Sequence, residues 1–354
     1  MLFSPGPTEM EKKIREIASM KLPYFRGEEY AALMIELTED MKYIFQTKRT
    51  PLAITSSGMG VMEMAVQNLL NPGDKVVVLN GGTFGEKWVQ MCKAFQVKVK
   101  EIKLQLGRSP DYAALKRSLG KDVKALLVNA HETSTGLLYD LKKIGDLTAS
   151  ENILLIVDGI SSIGADEFSM DEWNCDCAMV SSNKALACLP GLSFIVFSER
   201  AWEVVENLKR GRFYFDARFY MNNISRGMTP FTPAMIVTFQ LRERMEIIKK
   251  MGLKKYIAKH RARANAFRER MFGSGKFSPF PERQSNAITS IVLPENSRGR
   301  DIIHYLKEKY GWYLAPNPTN NEKYLRVSHM GDISIRATID LAEKIEEACF
   351  RRKI

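Results

Sequence analysis

Seven short runs of aliphatic and β-branched residues punctuate the first two thirds of the chain: "PLAIT", "DKVVVLN", "VKVKEIKL", "VKALLVNA", "NILLIVD", "CDCAMVSS" and "LSFIVFS". Their hydrophobicity is continuous rather than alternating, which is the pattern of strands covered on both faces. Between most of them stand segments of helical period, such as "GVMEMAVQNLL", "GEKWVQMCKAF" and "DYAALKRSL". Strand and helix in alternation make β-α-β units. The pattern predicts a mostly parallel seven-stranded sheet in a three-layer α/β domain over residues 15–245.

Beyond it the texture changes. "FQLRERMEIIKKMGLKKYIAKHRARANAFRERMF" reads as a long basic amphipathic helical stretch, and a Gly/Pro/Ser loop, "GSGKFSPFPERQS", follows it. The strand "AITSIVLPE", the helix "GRDIIHYLKEKYG", the strand "YLRVSHM" and a last helix "ISIRATIDLAEKIEEACFRR" then predict a smaller α+β unit over residues 246–354, joined by residues 1–14.

Composition narrows the class. A chain of 354 residues with 45% hydrophobic content buries a large core. No apolar stretch approaches the roughly 20 residues of a membrane span, and "MLFSPGPTEMEKK" lacks the basic-then-apolar order of a secretory signal. A cytoplasmic protein without a membrane partner is expected. The net charge of +11 comes from Lys and Arg spread along the chain among 41 acids, a pattern of solubility or of small anionic substrates rather than of nucleic-acid binding. The five cysteines include a "CDC" with one residue between the thiols, not the two of a redox or zinc knuckle, so reduced thiols and no metal site are expected.

Candidate chemistry collects where the strands end, which in open α/β sheets is where ligands sit. "AITSSGMGVMEMA" passes from strand through Ser56, Ser57, Gly58 and Gly60 into a helix, whose free N–H groups suit an anion, although such turns also arise for geometric reasons alone. "NAHETSTG" ends another strand in an imidazole and hydroxyls, Asp158 ends the next in "LLIVDGISS", and Lys184 follows the one after in "VSSNKALACLPG". A carboxylate directly after "ILLIV" needs a partner. That partner is either the N-terminus of a following helix, capped by Asp158, or a protonated ring nitrogen. An aspartate for a pyridinium, a lysine able to form a Schiff base and a cradle for a phosphate are together the demands of pyridoxal 5'-phosphate.

"VDGISSIGA" and "SSNKALACLPGL" resemble the class V aminotransferases of fold type I, close to the alanine–glyoxylate, serine–pyruvate and 2-aminoethylphosphonate–pyruvate transaminases. The resemblance runs almost end to end, through "FSPGPT", "FRGEEY", "SSGMGVMEMA", "GGTFGEKW", "HETSTGLL", "GMTPFTPA" and "YLRVSHMG". It implies roles residue by residue. Lys184 would carry the cofactor as a Schiff base and move the proton, Asp158 would pair with the ring nitrogen, and Phe84 would stack on the ring. Ser57, Gly58 and Met59 would surround the phosphate; the Met59 thioether is a poor hydrogen-bonding group, which leaves only its N–H to help. Asn183 and Thr133 would hydrogen-bond around the ring. Thr229 and Thr232 would reach the phosphate of a second subunit, implying a homodimer, and Arg326 would bind the substrate carboxylate.

The implied reaction moves an amino group from alanine, serine or 2-aminoethylphosphonate to pyruvate or glyoxylate. The phosphonate is slightly favoured by "FSPGPT" and the positive charge. A lyase or desulfurase on the same scaffold is the alternative. Against it, Cys188 follows the lysine too closely to be a mobile nucleophile, Cys349 lies in the terminal helix, and His131 reads as a histidine that supports the site from behind or is satisfied in the core, because Phe84 takes the stacking place. Arg26 is a further cation without an assigned place.

Overall fold

The computed structural model describes residues 1–208 and 211–350. At its centre are seven strands: β1 Leu52–Ile54, β2 Lys75–Asn80, β3 Lys98–Lys103, β4 Val123–Asn129, β5 Leu154–Asp158, β6 Cys177–Ser181 and β7 Ser193–Phe197. They lie in the order β1-β7-β6-β5-β4-β2-β3. The pairs β2–β3, β2–β4, β4–β5 and β5–β6 are parallel, whereas β7 runs against both its neighbours. Each hydrophobic run of the sequence is therefore a strand of one sheet.

Continuity of hydrophobicity has its cause in two cores, one on each face. Leu155, Val157 and Val180 belong to the first; Leu154, Ile156 and Met179 belong to the second. Neighbouring residues of a strand point to opposite faces, so both sets must be apolar. β5, β6 and β7 are buried at every residue. β3 departs from the expectation: its residues are exposed or half-buried, because "KVKEIK" alternates and forms the edge of the sheet, where lysines discourage further pairing.

The long basic stretch is two helices, Met235–Met251 and Leu253–Phe272, rather than one. Gly252 between them has φ 87°, a left-handed conformation in which the helix does not continue. Three further strands, β8 Ser278–Pro279, β9 Ile288–Val292 and β10 Tyr324–Ser328, form an antiparallel sheet. A third core, including Phe267, Ile291, Leu306, Val327 and Leu341, packs this sheet against helices Leu253–Phe272, Gly299–Tyr310 and Ile335–Phe350. The first residues of the chain are woven into that unit. Leu2 bridges to Tyr313, Phe3 accepts from the Ser328 N–H, and Phe3 lies in the third core.

The parallel strands β4, β5 and β6 deliver Asn129, Asp158 and Ser181 to a common edge. Their opposite ends are fixed by Asp176, the middle residue of "CDC". This buried carboxylate accepts the Leu155 N–H at 2.8 Å, the Ser198 hydroxyl at 2.7 Å and both Nε and Nη2 of Arg200 at 2.6 Å. The two flanking cysteines are buried and free, so the motif is a strand start held by a carboxylate. Asp176→Ala strands the Leu155 N–H and half of the Arg200 ion pair. A loss of roughly 2–4 kcal/mol is expected in urea unfolding, since breaking a buried pair leaves its partner uncompensated; a loss below about 0.5 kcal/mol, the range of ordinary surface changes, contradicts this account.

Candidate active site

Where β5 and β6 end, a cavity of about 200 Å³ is lined by Ser57, Gly58, Met59, Phe84, Thr133, Asp158, Asn183 and Lys184, with Ile160, Ser161, Ser181 and Pro190. Roomier depressions of about 380 and 660 Å³ lie elsewhere, the larger among lysines at the amino ends of β2, β3 and β4. Chemistry rather than size distinguishes the smaller one.

Lys184 lies in the loop after β6, and neighbouring segments fasten that loop. Thr8 Oγ1 donates to the Lys184 carbonyl at 3.0 Å, Tyr256 donates to the Ala185 carbonyl at 2.5 Å, and Gln240 accepts the Leu189 N–H at 2.9 Å. Arg244 reaches the Ala187 carbonyl at 3.4 Å while paired with Asp332. The Lys184 ammonium donates to the Pro5 carbonyl at 2.8 Å. Burial pushes this amine down to about 8, against the opposing pull of Asp158, which makes the neutral, nucleophilic form easier to reach than for an exposed lysine. "FSPGPT" acquires a specific reason. Gly6 has φ 145°, and a Cβ there would occupy the space of the Lys184 side-chain end.

Asp158 caps no helix. A turn, not a helix, follows β5, and Asp158 Oδ1 accepts the Ile160 N–H at 2.9 Å within it. Among the described residues nothing forms an ion pair with this carboxylate. Burial pushes it up to about 7, moderated by the Ile160 N–H, raised further by Glu132 and lowered by Lys184. A protonated ring nitrogen fits here as the missing cation.

The start of helix Gly58–Leu69 has no side-chain cap, Ser57 being its N-cap residue, which leaves first-turn N–H groups for an anion. Gly58 is required by proximity: a Cβ would stand 2.6 Å from Ile160 Cδ1. Met59 packs partly against the second core. Asn183 accepts from Ser181 at 2.9 Å with its amide oxygen, so its NH2 remains to donate. Thr133 shares a 2.6 Å hydrogen bond with Ser161, which also meets His131 Nδ1 at 3.1 Å. His131 is a core histidine as read, but half-satisfied: Nε2 is buried with no partner among the described residues, and burial pushes the ring down to about 3.

Three expected residues stand outside the cavity wall. Arg326, on β10, is adjacent: its Nη1 donates to the Thr133 carbonyl at 2.8 Å and its Nη2 to the Pro316 carbonyl at 2.7 Å. Thr229 is half-buried and donates to the Phe231 carbonyl, and Thr232 is exposed. Arg26 is exposed and lies over the Phe25 ring. Sequence reasoning missed Pro5, Gly6 and Tyr256, which reach the site across long sequence separations, and Ser161 and Glu132, which stood in plain view in "LLIVDGISS" and "HETSTG".

The comparisons with known proteins agree with this chemistry. Residues 22–315 match the family model Aminotransferase class-V. The chain belongs to the class V aminotransferases. An uncharacterized aminotransferase of Methanocaldococcus jannaschii is 31% identical over 94% of this chain and 88% of its own. A serine–glyoxylate aminotransferase of Methylorubrum extorquens is 30% identical over 94% of this chain and 87% of its own. The solved alanine–glyoxylate aminotransferase of a Nostoc species superposes with a TM-score of 0.93 at 24% identity, covering 98% of this chain and 94% of that one, so the fold is that of fold type I. These enzymes depend on pyridoxal 5'-phosphate, and the residues around the cavity fit that cofactor.

Asp158 gives a pH signature in the cofactor-free protein. Between its ordinary value of 3.8 and about 7 the folded form alone holds the proton, so this group lowers stability as pH rises through that window. Asp158→Asn removes the effect. From pH 4 to 7 the slope of stability against pH should become more positive by up to about 1.4 kcal/mol per unit, measured by urea unfolding at several pH values. Turnover should fall by orders of magnitude in the same variant. An unchanged slope contradicts the buried, unpaired state of this carboxylate.

Proposed function

We propose that this aminotransferase takes its amino group from alanine, serine or 2-aminoethylphosphonate and gives it to glyoxylate or pyruvate. The observation that carries the reading is Arg326. It is 4% exposed, held by two backbone carbonyls beside Thr133, and its Nε is buried without a partner among the described residues. Burial pushes it down to about 10, yet it stays cationic at neutral pH, so a planar donor awaits one carboxylate. Among the described residues no cation other than Lys184 lines the cavity itself, and Arg26 is turned onto Phe25. A monocarboxylate fits better than a dicarboxylate. The serine–glyoxylate relative supports the same acceptor class.

When bound, pyridoxal 5'-phosphate supplies the electron sink for the reaction. Around it, Lys184 Nζ would hold the cofactor and move the proton, and Asp158 would hold the ring nitrogen protonated. Phe84 would lie against the ring, Thr133 and Asn183 would hydrogen-bond to it, and the Ser57 hydroxyl with the Ser57, Gly58 and Met59 backbone would receive the phosphate. The desulfurase alternative loses ground because Cys188 is fully packed and burial pushes its thiol up to about 12.

Thr229 and Thr232 complete the neighbour's phosphate site in a homodimer. Phe213 at 71% exposure, with Tyr214 and Phe219 at 38% each, surrounds their segment with apolar surface that a second copy would cover. The five free cysteines suit the reducing cytoplasm; recovery of the protein in the periplasmic or secreted fraction would sink that placement.

Arg326→Ala should raise KM for glyoxylate and pyruvate strongly, the loss of a charge-assisted pair costing roughly 2–5 kcal/mol. Lys184→Ala, assayed in parallel, should lose turnover and the borohydride-reducible adduct with the cofactor. Preference for 2-oxoglutarate over both small acids overturns the acceptor assignment. For the dimer, Thr232→Val should weaken cofactor retention, and dilution to monomer should do the same; tight retention by a demonstrated monomer refutes the shared site.

A further inference from the structure

Glu132 has no role in the scheme above, yet the wall of the cavity is organised around it. It has no exposed surface and receives five hydrogen bonds. The donors are the N–H groups of Phe84 at 3.3 Å, Gly85 at 3.0 Å and Ser134 at 3.1 Å, the Ser134 hydroxyl, and Asn129 Nδ2 at 2.8 Å. Every one points a hydrogen at the carboxyl group. Four of the five are N–H groups, which can only donate, so both carboxyl oxygens are engaged as acceptors from several segments at once.

Two of those donors belong to the first turn of helix Thr83–Ala94, whose own N-cap residue, Gly82, offers no side chain. The carboxylate from the short strand His131–Glu132 that follows β4 serves in its place, where the helix dipole also favours negative charge. Room for it exists because residue 82 is glycine: a Cβ there would stand 2.9 Å from Glu132 Cγ and Cδ. The backbone of Phe84 is thereby fixed to the turn of residues 132–134. The same turn is held from the other side by β10, with Arg326 donating to the Thr133 carbonyl at 2.8 Å and Tyr324 to the Ser134 carbonyl at 2.9 Å.

We propose that Glu132 is a positioning residue of the active site, a buried hydrogen-bond acceptor that sets Phe84 against the cofactor ring and, through the backbone of Thr133 and Ser134, sets Arg326 against the substrate carboxylate. The inference rests on the roles given above to Phe84 and Arg326. Its charge also acts on both sides of the reaction centre, disfavouring an unpaired anion at Asp158 and favouring the cation at Arg326.

The test compares full-length wild type with Glu132→Gln, which keeps the shape but turns a donor toward donors. Cofactor is removed and rebound, with affinity read from protein fluorescence, and KM for glyoxylate is measured on the reconstituted enzyme. Both Kd for the cofactor and KM should rise about tenfold or more, the scale on which small misplacements act. Phe84→Leu should raise Kd alone. Adding Glu132→Gln to Phe84→Leu should weaken cofactor binding no further, because Glu132 acts on the ring through Phe84. Full additivity in that double variant overturns the proposal, as do unchanged Kd and KM in folded Glu132→Gln. If Glu132→Gln does not fold, Ser134→Ala removes one donor and should shift both constants in the same direction; wild-type constants there overturn it equally. A wild type that binds no cofactor would sink the proposed function itself, which separates the two failures.

Discussion

Loss of water is the constraint on which the site depends. The sheet ends Asp158 in a pocket where its anion finds one N–H, and it brings Lys184 into the same pocket, where its cation finds one carbonyl. Burial pushes the carboxyl up to about 7 and the amine down to about 8. Neither group is at rest as ordinary surface chemistry would have it. Each is prepared for a partner that the chain does not supply: a cation for one, an electrophile for the other.

Such groups stay in place because the scaffold around them is over-determined. β5 is buried at every residue between β4 and β6, and its amino end is pinned by Asp176. The Lys184 loop is fastened by Thr8 from the N-terminal segment, by Gln240 and Arg244 from helix Met235–Met251 and by Tyr256 from the next helix. Arg244 is itself almost wholly buried and pairs with Asp332 and Glu11, so helix Met235–Met251, the segment after β10 and the N-terminal segment meet at one guanidinium. The strain of holding two uncompensated groups is shared among contacts far from the chemistry.

Much of this was legible in the sequence, for a definable reason. Strands that serve two cores must be apolar throughout, so β4 to β7 announced themselves, and the polar residue that interrupts each run marked the crevice. β3 was read too generously because "VKVKEIKL" is apolar enough to look buried while its lysines alternate toward water. The break at Gly252 was invisible within a strongly helical pattern, since a single glycine is tolerated in many helices. Asp158 as a helix cap was a sound local reading that failed because the residues after it form a turn. The residues from Pro5 to Thr8 carried part of the resemblance but no sign of their place: their work is done against Lys184, about half the chain away.

That last contact bears on how the protein comes into being. The Pro5–Gly6 segment closes over the lysine only if its flank is anchored, and the anchors are Tyr313 and Ser328. During synthesis the first residues leave the ribosome long before either anchor exists. The central sheet has its strands once β7 has emerged, but the lid over its lysine must wait for β10. Closure of the crevice is therefore expected late in folding, dominated by contacts between the two ends of the chain, and until the C-terminal unit has docked the amine is more exposed to water and keeps more of an ordinary lysine's charge.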